Sequence, residues 1–379
     1  MRVALYLKHF PAAGEAVKGG SATAVDGLAA GLAQNGAEAV VLCEGAARSS
    51  AVAAGGYRVE CFRNAGRYHR SFTVARELRR YAADWLRAAP GLCVLNGMFH
   101  PSCFALGRSL RRHGVPYVAQ PLDPYDRWVF RRNAHLKWPY WYLFERRHLR
   151  EARAVQLLDR CHEPALRGLG VHTPVIEAPA GIGAAAEPPP APRRRPEVPS
   201  FAFLGRIDAY NKGLDLLVEA FARVAAQGDQ RPTLSVRGPD WGDRAPLQRR
   251  AEALGLSDRI AFLEPDYART PVQILAEHDV LCLPSRFEGF GLAALEAMQA
   301  GRVLLVSERA GVARHVLASG CGLSVPPSVE GVAAGLRAIL ERRGGWAEMG
   351  RRGRRYALEQ LQWKHIAARA LQSYARLLS

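Results

Sequence analysis

Residues 280–301 read VLCLPSRFEGFGLAALEAMQAG. Val280–Leu283 is a short, wholly apolar run closed by Pro284. A run of that kind suits a strand buried on both faces of a parallel sheet. Glu288 follows in a loop with Gly289 and Gly291, and the spacing beyond predicts a helix over Gly291–Ala300. Val303–Val306 is then a further apolar run. Strand, loop, helix and strand in that order is the unit of a doubly wound α/β fold.

The same rhythm extends outward. Upstream, Phe201–Leu204, Thr233–Val236 and Ile260–Leu263 read as strands, and Leu214–Ala225 reads as a helix. The first half repeats it with strands at Val3–Leu7, Ala39–Cys43, Leu92–Leu95 and Tyr117–Ala119. Helices are predicted between them at Thr23–Asn35 and Ser102–Arg112. The segment Glu187–Ser200, EPPPAPRRRPEVPS, separates the halves. Its prolines cannot donate to a sheet or sit inside a helix, so it reads as a linker or surface loop. Two doubly wound units joined by a hinge predict a cleft, with ligands beyond the carboxyl ends of the strands. Trp363, Ile366, Leu371, Tyr374 and Leu377 recur near helical spacing, which predicts a terminal helix with an apolar face to dock.

Length and composition agree with two such units. The chain has 379 residues, 49% hydrophobic and 23% charged. That excludes a disordered chain, a collagen and a small disulfide scaffold. No apolar run reaches the length of a membrane span, and Met1–Leu7 reads as a strand rather than a signal peptide. Seven cysteines without a Cys-x-x-Cys argue against structural zinc and a disulfide framework, so a reducing cytoplasm is expected. The net charge is +17, and residues 1–180 hold 25 Arg and Lys against 14 Asp and Glu. Such an excess suits an anionic partner: phosphate esters, nucleic acid or an anionic membrane. Many Arg with only five Lys is equally consistent with codon bias.

Three segments carry site chemistry. In residues 280–301, Glu288 precedes the helix and Glu296 lies within it. Free N–H groups and the helix dipole favour an anion at a helix start, and glycine admits close backbone approach. A carboxylate there would repel phosphate, so each Glu suits hydroxyls instead, one on a sugar and one on a ribose. Alone, the pair reads equally well as acidic residues complementing a helix dipole. In FAFLGRIDAYNKGLDL, residues 201–216, Arg206 ends a strand and Lys212-Gly213 opens a helix, so two cations can converge on one diphosphate. Lys18-Gly19-Gly20-Ser21 allows close backbone contact with a phosphate, but it is neither a Walker motif nor Gly-x-Gly-x-x-Gly.

In this order, the Gly-Gly loop, Gly-Arg…Lys-Gly and EGFGLAALE resemble the retaining GT-B glycosyltransferases of family 4. The resemblance extends to PVIEAPAGI near the hinge and to QWKHIAARALQSYARLL at the end. It implies a GT-B architecture of two Rossmann-like domains facing a central cleft. Residues 1–180, with a terminal helix at about 359–379 packing back, would form the acceptor-side domain. Residues 181–358 would bind the nucleotide sugar. Arg206 and Lys212 would grip the diphosphate, Glu288 the donor-sugar hydroxyls and Glu296 the ribose. Phe290, Gly291 and Leu292 would offer backbone N–H groups, Gly20 would approach the phosphates, and the nucleobase would lie near Gly238. Neither a metal nor a cofactor is implied. The acceptor would be a saccharide, a lipid-linked sugar or a small molecule, met in the cytoplasm or at the inner membrane face.

One position departs from the family pattern. Relatives often carry Pro-His-Gly after the strand equivalent to Tyr117–Ala119, and here Leu122 takes the place of the His. Asn96, His100 and Asp123 lie in post-strand loops and are acceptor-side candidates; His100 reads equally as a packing histidine. Leu122 supports one alternative, a catalytically weak nucleotide-sugar-binding or assembly subunit; a GT-B-fold nucleotide-sugar epimerase is another, which the Glu-x7-Glu context disfavours.

Arg127–Arg150, RWVFRRNAHLKWPYWYLFERRHLR, interleaves aromatic and basic residues. Interfacial membrane segments read this way. Nucleic-acid platforms do too, but no RNA or DNA motif accompanies it, and nucleic acid is not an expected partner. Core packing of the aromatics is the other reading.

Overall fold

The computed structural model describes residues 1–12, 15, 17, 19–64, 72–183, 198–226 and 231–379. Lys18 of the glycine loop and residues 187–197 of the proline-rich segment lie outside them. The chain divides into two compact units, one of Met1–Ala184 with Leu361–Ser379 and one of Ala185–Gln360.

The first unit holds β1 (Arg2–Tyr6), β2 (Glu38–Gly45), β3 (Ser49–Val52), β4 (Arg58–Arg63), β5 (Gly91–Asn96), β6 (Tyr117–Gln120), β7 (Ala154–Leu157) and β8 (Val175–Glu177). They form one sheet in the order β3-β4-β2-β1-β5-β6-β7-β8. β3 runs antiparallel to β4, and the other pairs are parallel. β1, β5 and β6 are almost wholly buried, as strands covered on both faces must be. The β3–β4 hairpin is absent from the sequence reading because β3 is mostly exposed and carries no apolar run.

The helix Gly20–Gln34 explains where the terminal helix goes. Gly27 and Gly31 leave its surface bare, and a Cβ on Gly27 would overlap the Trp363 ring. The helix Trp363–Leu378 seats Trp363 there and buries Ile366, Ala367, Ala370 and Tyr374. The buried stripe thus runs through two alanines, rather than through Leu371 and Leu377 as the spacing predicts, because small residues let the helix axes approach. Residues 359 and 360 belong to the preceding helix, Trp346–Gln360. Tyr374 Oη donates to Gln156 Oε1 on β7 at 2.5 Å and fixes the far end.

The second unit holds β9 (Ser200–Leu204), β10 (Thr233–Arg237), β11 (Ile260–Leu263), β12 (Val280–Leu283), β13 (Val303–Ser307) and β14 (Gly322–Val325). Its order is β11-β10-β9-β12-β13-β14, and all its pairs are parallel. The helix Leu214–Ala225 buries Leu214, Leu217, Val218, Phe221 and Val224 as one apolar stripe, and Phe201 meets Phe221 edge-on at 6.1 Å. Strand order reverses between β9 and β12 in this unit and between β1 and β5 in the other. A crevice opens beyond the carboxyl ends of the strands at such a reversal.

The basic aromatic segment divides between core and surface. A helix over Ala134–Tyr140 runs into a π-turn, Trp141–Glu145, and then into the helix Arg146–Glu151. Phe130, Trp141 and Leu149 are buried in the core, and Phe144 is half-buried. Leu136, Trp138, Tyr142 and Leu143 are exposed. Neither reading of the stretch covers all of it.

Candidate active site

The β9–β12 switch point gathers the second-unit candidates. The loop after β9 carries Arg206, and Asp208 caps the short turn that follows by accepting from Asn211 N at 3.1 Å. That turn brings Lys212 to the loop after β12, where Nζ donates to Glu288 Oε2 at 2.6 Å. Ser285 Oγ, fully buried, donates to the same oxygen at 3.1 Å. Both bonds converge on Oε2, and among the described residues Oε1 takes no bond.

Arg286 ties these two loops together. Its guanidinium forms a bidentate pair with Asp215, at 2.8 and 2.6 Å, and bonds the carbonyls of Ala209 and Tyr210. Gly213 passes so close beneath the β12 loop that a Cβ would overlap the Pro284 carbonyl, and its φ of 65° is left-handed. The two cations therefore differ. Lys212 has a carboxylate partner, while Arg206 has none among the described residues. Its guanidinium carbon instead lies 4.3 Å from the ring centroid of Trp241, an exposed residue of the loop after β10. Trp241 N donates to Ile207 O at 3.1 Å, which holds that loop against the β9 loop. Gly238 is the reason they can meet: a Cβ there would overlap the Gly205 carbonyl.

Past Glu288, Phe290 is buried and its carbonyl accepts from Val312 N at 3.0 Å. Gly291 caps the helix Leu292–Gln299 at φ 105°. The first-turn N–H groups of a helix have no intrahelical acceptor. Glu296 lies in the second turn, half-buried, and its carboxyl has no hydrogen-bond partner among the described residues. Burial pushes its carboxyl up to about 7.

The first-unit candidates lie at the carboxyl ends of β5 and β6. Asn96 is buried, and its amide donates to Tyr6 O at 3.2 Å and Val94 O at 3.3 Å, bracing β1 against β5. His100 precedes the helix Pro101–Arg112, half-buried, with its ring over Gly97. Asp123 is exposed. Gly20 opens the helix Gly20–Gln34 after Gly19, whose φ is 88°.

Glu145 is missing from the sequence reading, although Trp141, Glu145, His148 and Leu149 recur at the spacing of one buried helical face. Its Oε1 accepts from Phe99 N at 2.9 Å and Tyr125 Oη at 2.5 Å, so one buried carboxyl holds the loops after both β5 and β6. Burial raises it to about 7, with those two bonds opposing the rise. Each loop contains a non-glycine residue at positive φ, Phe99 at 53° and Leu122 at 68°. Such backbone costs free energy and persists where neighbours over-determine it. Trp241, Arg286 and Ser285 also went unread. Trp241 had a signal, a large aromatic three residues after Gly238 in a post-strand loop.

Among the described residues, no group of three or more His, Cys, Asp or Glu is placed to hold a metal ion. Among the same residues, no helix is long and apolar enough to cross a membrane.

Two family models match the chain: a glycosyl transferase 4-like domain over residues 19–181 and glycosyl transferases group 1 over residues 188–357. The D-inositol 3-phosphate glycosyltransferase of Jonesia denitrificans is 32% identical over 186 residues, 48% of this chain and 44% of that protein. The MMP alpha-(1->4)-mannosyltransferase of Mycolicibacterium hassiacum is 30% identical over 171 residues, 44% of this chain and 41% of that protein. The matches thus span less than half the length of each curated relative. Sucrose-phosphate synthase from Thermosynechococcus elongatus shares the fold at a TM-score of 0.76 and 20% identity, covering 99% of this chain and 98% of that one. Anabaena HepE, solved in complex with UDP, does so at a TM-score of 0.69 and 15% identity, covering 99% of this chain and 100% of that one.

Proposed function

From the membership of this chain in the glycosyl transferases of group 1, with the GT-B fold of two Rossmann-like domains, we propose that it moves a sugar from a nucleotide diphosphate sugar to a hydroxyl acceptor with retention. The observation that carries this most is the crown at the β9–β12 switch point. There a carboxylate, a cation bonded to it and a second cation without a carboxylate partner precede a helix start.

In this reading, Arg206 and Lys212 meet the diphosphate. The C1–O bond to the β-phosphate breaks, and negative charge grows on the departing oxygen. Fixed cations and the N–H groups of Phe290, Gly291 and Leu292 favour that charge in the transition state. The acceptor oxygen bonds to C1 on the face the diphosphate leaves, and its proton passes to the departing phosphate oxygen. Glu288 accepts from a donor-sugar hydroxyl through Oε1 while Lys212 and Ser285 hold Oε2. Glu296 accepts from the ribose, the nucleobase lies toward Gly238, and Gly20 approaches the phosphates. No metal takes part. The nucleotide is UDP or a relative of it, as in the HepE complex. The acceptor, on the side of Asn96, His100 and Asp123, is a saccharide, a lipid-linked sugar or a small molecule, in the cytoplasm or at the inner membrane face.

Thermal shift against a panel of nucleotide diphosphate sugars tests the donor, because a ligand that binds only the folded state raises the melting temperature. Turnover should then need an acceptor and survive a chelator. If no nucleotide diphosphate sugar shifts melting, the donor assignment fails. A strict divalent-metal requirement contradicts the mechanism.

A further inference from the structure

Within Arg127–Glu151 the chain sorts its side chains by direction. Phe130, Trp141, Glu145, His148 and Leu149 point into the core. On the outside, Leu136 is 56% exposed, Trp138 36%, Tyr142 62% and Leu143 64%. Solitary exposed apolar residues need no explanation, but four within eight positions form a patch. One of them is anchored from within and carries a second. Trp138 stacks on buried Phe130 at 4.2 Å between centroids, and Tyr142 lies 5.9 Å from Trp138. This aromatic pair is therefore held in place.

Beyond Asp126, which accepts from Trp128 N at 2.9 Å, the segment that carries the patch is cationic. Residues 127–144 contain Arg127, Arg131, Arg132 and Lys137 and no Asp or Glu. Glu145, the next acidic residue, is buried. Arg127 and Arg131 both lie by the Trp128 ring of the same segment, at 5.4 and 4.6 Å. Lys137 donates to Val129 O at 2.6 Å, and its own pKa is lowered by partial burial and by Arg132. An apolar patch that includes Trp and Tyr, with cations along the same segment, matches the boundary between acyl chains and anionic headgroups.

We infer that Leu136, Trp138, Tyr142 and Leu143, with Arg127, Arg131 and Arg132 around them, dock the first unit on an anionic lipid bilayer. The four exposed residues enter the headgroup region, and the arginines meet lipid phosphates. The docking does not depend on the transfer reaction. A chain that binds vesicles but turns over no donor would sink the proposed function and leave the surface standing.

Flotation of the full chain with phosphatidylglycerol–phosphatidylcholine vesicles tests it, with phosphatidylcholine vesicles alone as the second arm. Wild type should float with the anionic vesicles at low salt, less as salt rises, and little with the neutral ones. Leu136→Ser with Leu143→Ser, both at exposed positions, should lower partitioning by about tenfold or more with melting unchanged. Arg131→Glu with Arg132→Glu should abolish the preference for anionic vesicles. Bromolipid should quench tryptophan fluorescence in wild type and much less in Trp138→Phe. If anionic vesicles recruit nothing at low salt, or the serine variant floats as well as wild type, the surface is not a docking site. Sedimentation showing a dimer that the serine variant dissolves would assign the patch to a second copy of the chain and overturn the lipid.

Discussion

Lys212 Nζ sits 2.6 Å from Glu288 Oε2, although the two residues come from loops after different strands. Each is largely shielded, with 16% and 12% of the side chain exposed. A diphosphate arriving at Lys212 must share its cation with this carboxylate. The pair keeps a charged group from standing unpaired in a shielded site before ligand arrives.

Glu288→Gln should separate sugar from nucleotide. Glutamine keeps an oxygen for Lys212 and Ser285 but loses the charge that strengthens a sugar hydroxyl bond. Affinity for the nucleotide diphosphate alone should stay within about twofold, while affinity for the nucleotide sugar falls about tenfold. Calorimetric titration of both ligands checks this, and equal losses would move Glu288 off the sugar.

Lys212→Ala should lower kcat by about 10²-fold or more, because its charge is needed most when the phosphate departs. Steady-state kinetics at saturating donor reads this directly. A rise in KM with unchanged kcat would make Lys212 a binding residue only.

Trp241→Ala should weaken the donor step without harming the fold, because the ring is exposed and its role is to hold Arg206. An exposed cation–π contact contributes about 0.5–1 kcal/mol, so the loss in kcat/KM should be about two- to fivefold. Trp241→Phe should recover most of it. In an Arg206→Ala background, Trp241→Ala should have little further effect, and full additivity would refute the coupling.

Glu296 gives a pH signature. Its carboxyl rises from the ordinary 4.5 to about 7 in the fold. Below 4.5 the group is neutral in both folded and unfolded chains. Between 4.5 and about 7 the unfolded chain ionises first, so stability falls as pH rises and then levels off. Glu296→Gln should remove that part of the fall. It should also weaken nucleotide binding above pH 7, where the wild-type carboxylate is charged. Melting curves and titrations from pH 5 to 8 check both signs.

Gly27 and Trp363 form a size-matched pair. Trp363→Ala should cost about 3–5 kcal/mol as an emptied core site, and Gly27→Ala about 1–3 kcal/mol through overpacking. Gly27→Ala with Trp363→Leu should be more stable than the sum of the single losses, which denaturant titration can measure.

Much of the second sheet was legible. Leu214–Ala225, Ile260–Leu263 and Val280–Leu283 begin and end where apolar periodicity and flanking Gly or Pro place them. The β3–β4 hairpin was not, since exposed Ser and Ala give no period. At the site, Lys212 and Glu288 were legible as residues but not as a pair. A contact across 76 positions leaves no spacing to read. The Arg286–Asp215 staple and the Arg206–Trp241 stack were hidden for the same reason. Trp141 and Tyr142 are adjacent and chemically alike. Successive side chains on a helix point roughly 100° apart, so one enters the core and the other meets solvent, and composition alone does not say which.

The division of the chain also sets an order of synthesis. Residues 185–360 are contiguous, whereas the first unit begins at Met1 and closes only with Leu361–Ser379. At roughly 5–20 residues per second, a ribosome needs several seconds or more between the first unit's last strand and its terminal helix. Through that interval the bare groove at Gly27 and Gly31 waits without the Trp363 ring. The nascent first unit therefore has an unsealed apolar seam for a chaperone to cover, and the second unit can finish folding before the first is closed.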